Sequence, residues 1–338
     1  MPPRPTLTIA AIIMLAVVGC GSVIVLAWKP TVDDRAAAAS GQPPSSDIGG
    51  ALLRIDPKTN RVVKRIPLPG ANMVAAGLGS VWVTGTVGDQ KALMRISPAS
   101  TEVQKEVALE PFRVLLPSDL AVGEGAVWVL GGEAIYWLHP ASGRVTTIPM
   151  RQAGTLRSGI ATGAGGVWVS AGDRGVVERV HPRKHTMEPT IRLGHFAGGL
   201  AFGGGSIWVT SEREGLLTRI DPVRGKVVRT YRVPGASGAA AFGAQAVWVV
   251  NSATGMIAKV EPDSGQVTAV AVGLRATGVS IGQGSLWVVN GGNGIVSRVD
   301  PVTLRVTATI PVGSRPYALA VDKAAVWVTV LGPGGHSH

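Results

Sequence analysis

Seven tryptophans, each beside valine in a short apolar run that follows a tight turn, recur along the chain. They are Trp82, Trp128, Trp168, Trp208, Trp248, Trp287 and Trp327, at spacings of 46, 40, 40, 40, 39 and 40 residues. A repeat of that length limits the fold severely, because one such unit cannot bury its apolar face alone and must stack on neighbours. A clear copy is Gly123-Glu124-Gly125-Ala126-Val127-Trp128-Val129, a glycine turn feeding a strand.

Each repeat reads as four strands. In the fourth, Leu200-Ala201-Phe202 leads through Gly203-Gly204-Gly205 into Ser206-Ile207-Trp208-Val209-Thr210. Leu216 to Ile220, a turn at Asp221-Pro222-Val223-Arg224-Gly225, and Lys226 to Tyr231 follow. Short runs of Val, Ile, Leu, Thr and aromatics between turn residues are strand signals. The turn recurs at Asp56-Pro57, Ser97-Pro98, His139-Pro140, His181-Pro182, Glu261-Pro262 and Asp300-Pro301. Proline presets φ at its start, and Gly or Asn near its end takes the left-handed position. Four-stranded units repeated radially predict an all-β, seven-bladed β-propeller over residues 51–331. The ring is expected to close by joining both chain ends in one blade. The expected split is one strand from the carboxyl end and three from the front, at Ala51–Ile55, Arg61–Ile66 and Met73–Ala76. All seven repeat tryptophans should be buried between blades.

The amino-terminal segment differs in kind. Leu7 to Trp28 is a 22-residue run without a charge, long enough to cross a bilayer, with Trp28 and Lys29 suited to an interface. Inside it, Val17-Val18-Gly19-Cys20-Gly21-Ser22 resembles a bacterial lipobox with Cys20 as the lipidated residue. Residues 1–28 are therefore read either as an uncleaved anchor helix or as a lipoprotein signal. Residues 29–50, rich in Ala, Ser, Pro, Gly and Asp, are read as a flexible tether, and 332–338 as a flexible tail. Both readings of the anchor place the propeller on the extracytoplasmic face of a bacterial membrane. Cys20 is the single cysteine, which excludes an intramolecular disulfide and leaves stability to packing and closure.

The formal charge of +11 belongs wholly to the propeller, where 29 cations face 18 acids. An excess of that size favours anionic partners such as lipid headgroups, wall polymers or acidic proteins, or else serves solubility. Outside a cell, nucleic acid is not an expected partner.

The strand order puts two sets of loops on one mouth of the ring: those entering each inner strand and those following each tryptophan strand. The entry loops carry Arg113, Arg151, Arg157, Arg275 and Arg315 with His195, Tyr317 and Glu110. The loops after the tryptophan strands carry Asp89, Glu133, Asp173, Glu212 and Glu214, with Arg174 and Arg213 among their cations. Arg113, Arg157, Arg275 and Arg315, helped by Tyr317 and His195, are the expected ligand-binding set. Converging guanidinium groups suit carboxylate or phosphate. The inner strands offer little chemistry. One position reads Met73, Asp119, Gly159, Gly199, Ala239, Gly278 and Ala318, and the position two residues on is Ala or Ser throughout. Small side chains there are expected to fit the crowded axis, and Asp119 is the one ionisable group among them. His139 and His181 stand in the Asp place of the turn and are read as turn residues. The six histidines form no metal set, and neither a metal nor another cofactor is expected.

The tandem Gly-x-Gly-x-Val-Trp-Val, Arg-Ile-Asp-Pro-x-x-Gly-x-Val and Ile-Pro-Val-Gly units resemble bacterial YVTN-repeat propellers and virginiamycin B lyase-type repeats. The resemblance covers Ala51 to about Leu331 and is clearest at Arg219-Ile220-Asp221-Pro222 and Ile310-Pro311-Val312-Gly313. It implies a fold more than an activity. The lyase family implies a His on an entry loop and a Glu just after a tryptophan strand, acting with magnesium. The nearest arrangement here is His195 with Glu212, outside the family's surrounding motif, so His195, Glu212 and Asp119 are the weak catalytic set. Quinone-cofactor propellers carry their tryptophan after the turn, not before it, and that cofactor is not expected. The leading functional expectation is a membrane-tethered binding or scaffold module. A ligand sensor and a lyase-like enzyme are the alternatives.

Overall fold

The computed structural model describes residues 24–26, 50–88, 90–109, 119–131, 134–150, 157–235 and 238–332. Seven antiparallel sheets are arranged as a ring. Blades 1 to 6 take residues 74–108, 119–149, 157–192, 200–232, 240–271 and 276–311 in chain order. Each inner strand lies against the next, and Pro316–Val321 lies against Val74–Gly77, which closes the circle.

Blade 7 closes the ring differently from the sequence expectation. Its strand order is Pro316–Val321, Val326–Val330, Ala51–Asp56, Arg61–Pro67, two strands from each end of the chain. Val74–Gly77 pairs with Ser80–Val87 across a tight turn and is the inner strand of blade 1. The reason is the order inside the repeat: every inner strand precedes its own tryptophan, so the last tryptophan already owns one.

The valine–tryptophan pattern follows from where its side chains go. Neighbours on a strand face opposite ways. Ile207 and Val209 pack with Trp168 of blade 3, while Trp208 packs with Val247 and Val249 of blade 5. Trp327 meets Val81 and Val83 in the same manner, so the closing interface repeats the others. All seven tryptophans are at most 1% exposed. Six indole N–H groups donate to the carbonyl five residues earlier, at Gly77, Gly123, Gly163, Gly203, Gly243 and Gly282. In blade 7, Asp322 Oδ2 takes that proton at 2.8 Å.

The third strand supplies a lid. Opposite the tryptophan stands Arg95, Arg179, Arg219, Arg298 or Arg54 in five blades. Each guanidinium lies 5.0–5.9 Å from its indole centroid, a cation–π contact. Arg95 also donates to Pro140 O of blade 2, and Arg298 to Pro57 O of blade 7. Part of the positive charge therefore joins blades to one another. The turns that receive these contacts keep the expected shape, but Thr101, His185 and Leu304 hold the left-handed position in three of them instead of the expected Gly or Asn, with φ +62°, +55° and +58°. Asp56, Asp221 and Asp300 each accept the backbone N–H two residues on at 2.8 Å. Hydrogen bonds of this kind hold all three carboxyls below the usual range. His139 and His181 play the same part through Nδ1, accepting from Ser142 N and from Arg183 and Lys184 N.

The inner strands are crowded where they meet the next blade. Ala121, Ala161, Ala201 and Ala320 are buried in the clusters between blades. A Cβ added to Gly199 would come within 1.5 Å of Gly238 O in the next blade, so backbone approach demands the glycine.

Of the run read as a membrane segment, the structure describes Ile24–Leu26, a strand paired parallel to Val267–Ala271 at the outer edge of blade 5. At these three residues the expected anchor helix is not formed. Among the described residues the helical structure is one 3-10 turn, Gly172–Arg174, and no helix is long and apolar enough to cross a membrane. Cys20, Trp28 and the remainder of 1–49, and residues 333–338, lie outside the described residues.

Candidate functional site at the loop mouth

A cleft of about 290 Å³ opens on the loop face between blades 3 and 4. Its walls are Gly172-Asp173-Arg174-Gly175, Gly194-His195-Phe196 and Arg213-Glu214. These are the loop after one tryptophan strand, the next entry loop, and the loop after the following tryptophan strand. The two loop sets thus share one face, as the strand order requires.

Backbone contacts fix this geometry. Leu193 N donates to Gly175 O at 2.8 Å and Ala197 N to Gly172 O at 3.1 Å, which pins the entry loop to the 3-10 turn. Gly175 has φ +59°, and a Cβ there would lie 2.3 Å from His195 O, so both conformation and contact call for glycine. Phe196 forms a buried floor, with the Arg213 guanidinium 4.5 Å from its ring centroid. Glu214 accepts from the Ser211 hydroxyl and from Phe196 N. The Ser211 bond is the largest influence holding its carboxyl below the usual range, with the Phe196 N–H and His195 adding to it. Asp173, Arg174, Arg213 and Glu214 are exposed and can meet a ligand.

His195 is oriented by a contact at each ring nitrogen. Its Nδ1 lies 3.0 Å from Phe196 O, and because a carbonyl only accepts, Nδ1 carries the proton. Its Nε2 lies 2.9 Å from Thr218 Oγ1, which in turn lies 3.3 Å from Thr230 Oγ1. Both ring nitrogens are used, which suits a wall of the cleft. The acid lining the cleft is Glu214 rather than Glu212, which is exposed two residues earlier and is not among the walls.

Other expected residues lie around the same mouth. Arg275 and Arg315 occupy equivalent corners with φ +52° and +59°, and their carbonyls accept from Gly291 N and Leu331 N. Arg275 is exposed, whereas Arg315 Nη1 donates to Gly332 O at 3.0 Å. Asp119 Oδ1 accepts Leu120 N and Oδ2 accepts Ile160 N of blade 3, both at 2.8 Å. Burial pushes its carboxyl up to about 6 against the pull of those two N–H groups. Tyr317 is half-buried, and burial first and the Asp119 charge second raise its phenol. The Asp119 charge thus reaches Tyr317, while His195, Arg275 and Arg315 stand at separate blades. Arg157 opens the strand Arg157–Gly163. Arg113, Arg151 and Glu110 lie outside the described residues. Among the described residues no three His, Cys, Asp or Glu side chains are grouped to hold a metal.

Two features escape a reading by loop position. Phe196 is signalled only by its place after His195. Glu178, 2% exposed with Oε2 lacking a partner, shares the third-strand register held by Thr218 in blade 4 and Ser297 in blade 6. Aligning third strands would have singled it out.

The fold and the cleft define a class: a seven-bladed propeller with a polar pocket on its loop face. Among solved structures, it is similar to a streptogramin B lyase, at TM-score 0.67 and 16% identity over 86% of this chain and 100% of that one. It is also similar to a catalytically inactive histidine variant of virginiamycin B lyase from Staphylococcus aureus with quinupristin. There the TM-score is 0.66 and identity 15%, over 83% and 99% of the two chains. Hydrazine synthase from Kuenenia stuttgartiensis matches at TM-score 0.60 and 12% identity, over 75% of this chain and 90% of that one. At these identities the likeness is one of fold. No protein-family model and no curated protein matches the sequence.

Proposed function

We propose that the chain is a binding module that takes an anionic group or an acidic partner segment on the loop face of its propeller. It would be held outside the cytoplasmic membrane by its amino-terminal apolar run. The observation carrying this reading is the cleft, lined by two exposed arginines, Arg174 and Arg213, with a hydrogen-bonded histidine and an apolar floor under Arg213. Guanidinium groups on a concave polar wall suit carboxylate or phosphate, and the internal carboxylates Asp173 and Glu214 limit how much negative charge the cleft accepts. Arg113, Arg157, Arg275 and Arg315, with Tyr317, would form a wider cationic ring around the same mouth.

The lyase-like alternative draws on the shared fold alone. It would need His195 to release Thr218 or Phe196 before moving a proton. The binding reading needs no such rearrangement.

Calorimetric titration with inorganic phosphate and with N-acetylalanine at low and moderate salt tests the proposal. Binding should weaken with salt. It should fall about tenfold in Arg174→Ala/Arg213→Ala, with a smaller loss in Arg157→Ala/Arg275→Ala/Arg315→Ala. Unchanged affinity in both variants would leave the charged mouth without a binding role.

A further inference from the structure

We infer that the outer strand of blade 7 is a membrane-contact surface for anionic lipid headgroups, an inference that rests on the tethered reading above. Arg61, Val62, Val63, Lys64 and Arg65 are five consecutive exposed residues, and Lys58 is exposed in the turn that leads to them. Val62 and Val63, between these cations, are 37% and 49% exposed. The neighbouring acid, Asp56, points its carboxylate at the Lys58 N–H.

The strip lacks the features of a site for one small ligand or for an added strand. Its five consecutive exposed residues present charge and apolar surface across a front. Its pairing with Ala51–Asp56 shifts register between Arg54 and Ile55, and such an irregularity twists an edge away from flat pairing. Basic side chains with small apolar ones between them match a surface of repeated negative headgroups bordering hydrocarbon.

Position supplies the second argument. The chain enters the propeller at Ala51, the start of the strand bonded to this strip. Blade 4 provides an internal control. Its outer strand Lys226–Arg232 has a similar composition, with Val227 and Val228 42% and 55% exposed. There Arg229 is committed to Asp263 O, Ser264 O and the Tyr231 ring. Blade 4 also stands three blades from the point of entry.

The test is flotation of the full chain with phosphatidylcholine vesicles and with vesicles containing phosphatidylglycerol. Binding to the neutral vesicles reports the apolar run. The increment on the anionic vesicles reports the strip. Arg61→Glu/Lys64→Glu should cut that increment about tenfold or more while leaving neutral binding unchanged. Arg61→Gln/Lys64→Gln should remove a smaller share, and serves if the reversed pair folds poorly. Lys226→Glu/Arg232→Glu should change neither quantity. An increment that survives both blade 7 variants overturns the inference, as does one lost equally in the blade 4 variant. Loss of binding to soluble polyphosphate without loss on anionic vesicles also overturns it, in favour of a polymer site. Absence of neutral-vesicle binding would sink the tether alone, since the anionic comparison still reads the strip.

Discussion

At the turn end of the ring, arginines are among the side chains that join neighbouring blades, beside Glu124, Thr162 and Gln283; at the loop end buried hydroxyls and the Asp119 carboxylate do so. The turn end uses guanidinium groups that cover an indole and reach the next blade, as Arg95 does to Pro140 O and Arg298 to Pro57 O. The loop end uses Ser170 to Gly198 O, Thr210 to Gly238 O, Thr329 to Asn72 O, and Asp119 to Ile160 N. Short side chains complete the second set of joints, so the loop-end arginines at the cleft are not needed there. The same residue type thus holds the fold together at one end and stands available at the other.

The largest test of the comparison is the shared core beneath both ends. Trp208→Ala removes a side chain packed against blade 5 and should cost about 3–5 kcal/mol in urea unfolding. An unchanged midpoint would mean that the blades do not depend on their indoles.

The next test uses pH. Asp119 is raised to about 6 in the folded protein, so over that range the folded state holds its proton more tightly than the unfolded chain. Its contribution is full at acidic pH and is lost as pH rises from the ordinary carboxylate range through about 6. Allowing for partial exposure, the loss should be about 1–2 kcal/mol. Asp56, Asp221 and Asp300 act in the opposite sense, adding stability as pH rises through their lowered range. Unfolding followed across acidic pH should show both slopes, and Asp119→Asn should abolish the falling one. A falling slope that persists in the Asn variant would put its origin elsewhere.

A smaller effect is expected at the closing joint. Thr329→Val keeps the shape of a fully buried residue but removes the 2.6 Å bond to Asn72 O between blades 7 and 1, and with it the acceptor for Ala318 N. The expected cost is about 1–2 kcal/mol, because a buried carbonyl loses a donor. No measurable loss would show that packing alone closes the ring.

How much of this was legible varies by element. The tryptophan spacing predicts blade number, burial and the closing principle, since each indole must find a neighbour. The division of blade 7 was misread at Met73–Ala76, because a strand that looks terminal by position belongs to Trp82 by order within the repeat. The turn histidines were legible because His139 and His181 stand where Asp stands elsewhere. The lid arginines recur as the first residue of the Arg-Ile-Asp-Pro unit, but their place over the indole is not local and appears only in the register, as in Trp208↔Arg219. For the mouth, loop position grouped Arg174, His195, Arg213 and Glu214 on one face. The cleft itself depends on the 3-10 turn at Gly172–Arg174 and on Phe196, neither of which the repeat pattern encodes.

The most direct test sets one arginine from each end side by side. Arg219 lies over Trp208 at 5.5 Å with Nε bonded to Ser206 Oγ, whereas Arg213 is exposed over Phe196 at the cleft. Arg219→Gln and Arg213→Gln should be measured for both urea stability and phosphate affinity. Arg219→Gln should lose about 1–2 kcal/mol of stability with affinity unchanged. Arg213→Gln should hold stability to within about 1 kcal/mol and weaken phosphate binding about five- to tenfold. If Arg219→Gln weakens binding as much as Arg213→Gln, or Arg213→Gln destabilises the fold as much as Arg219→Gln, the division of labour between the two ends is contradicted.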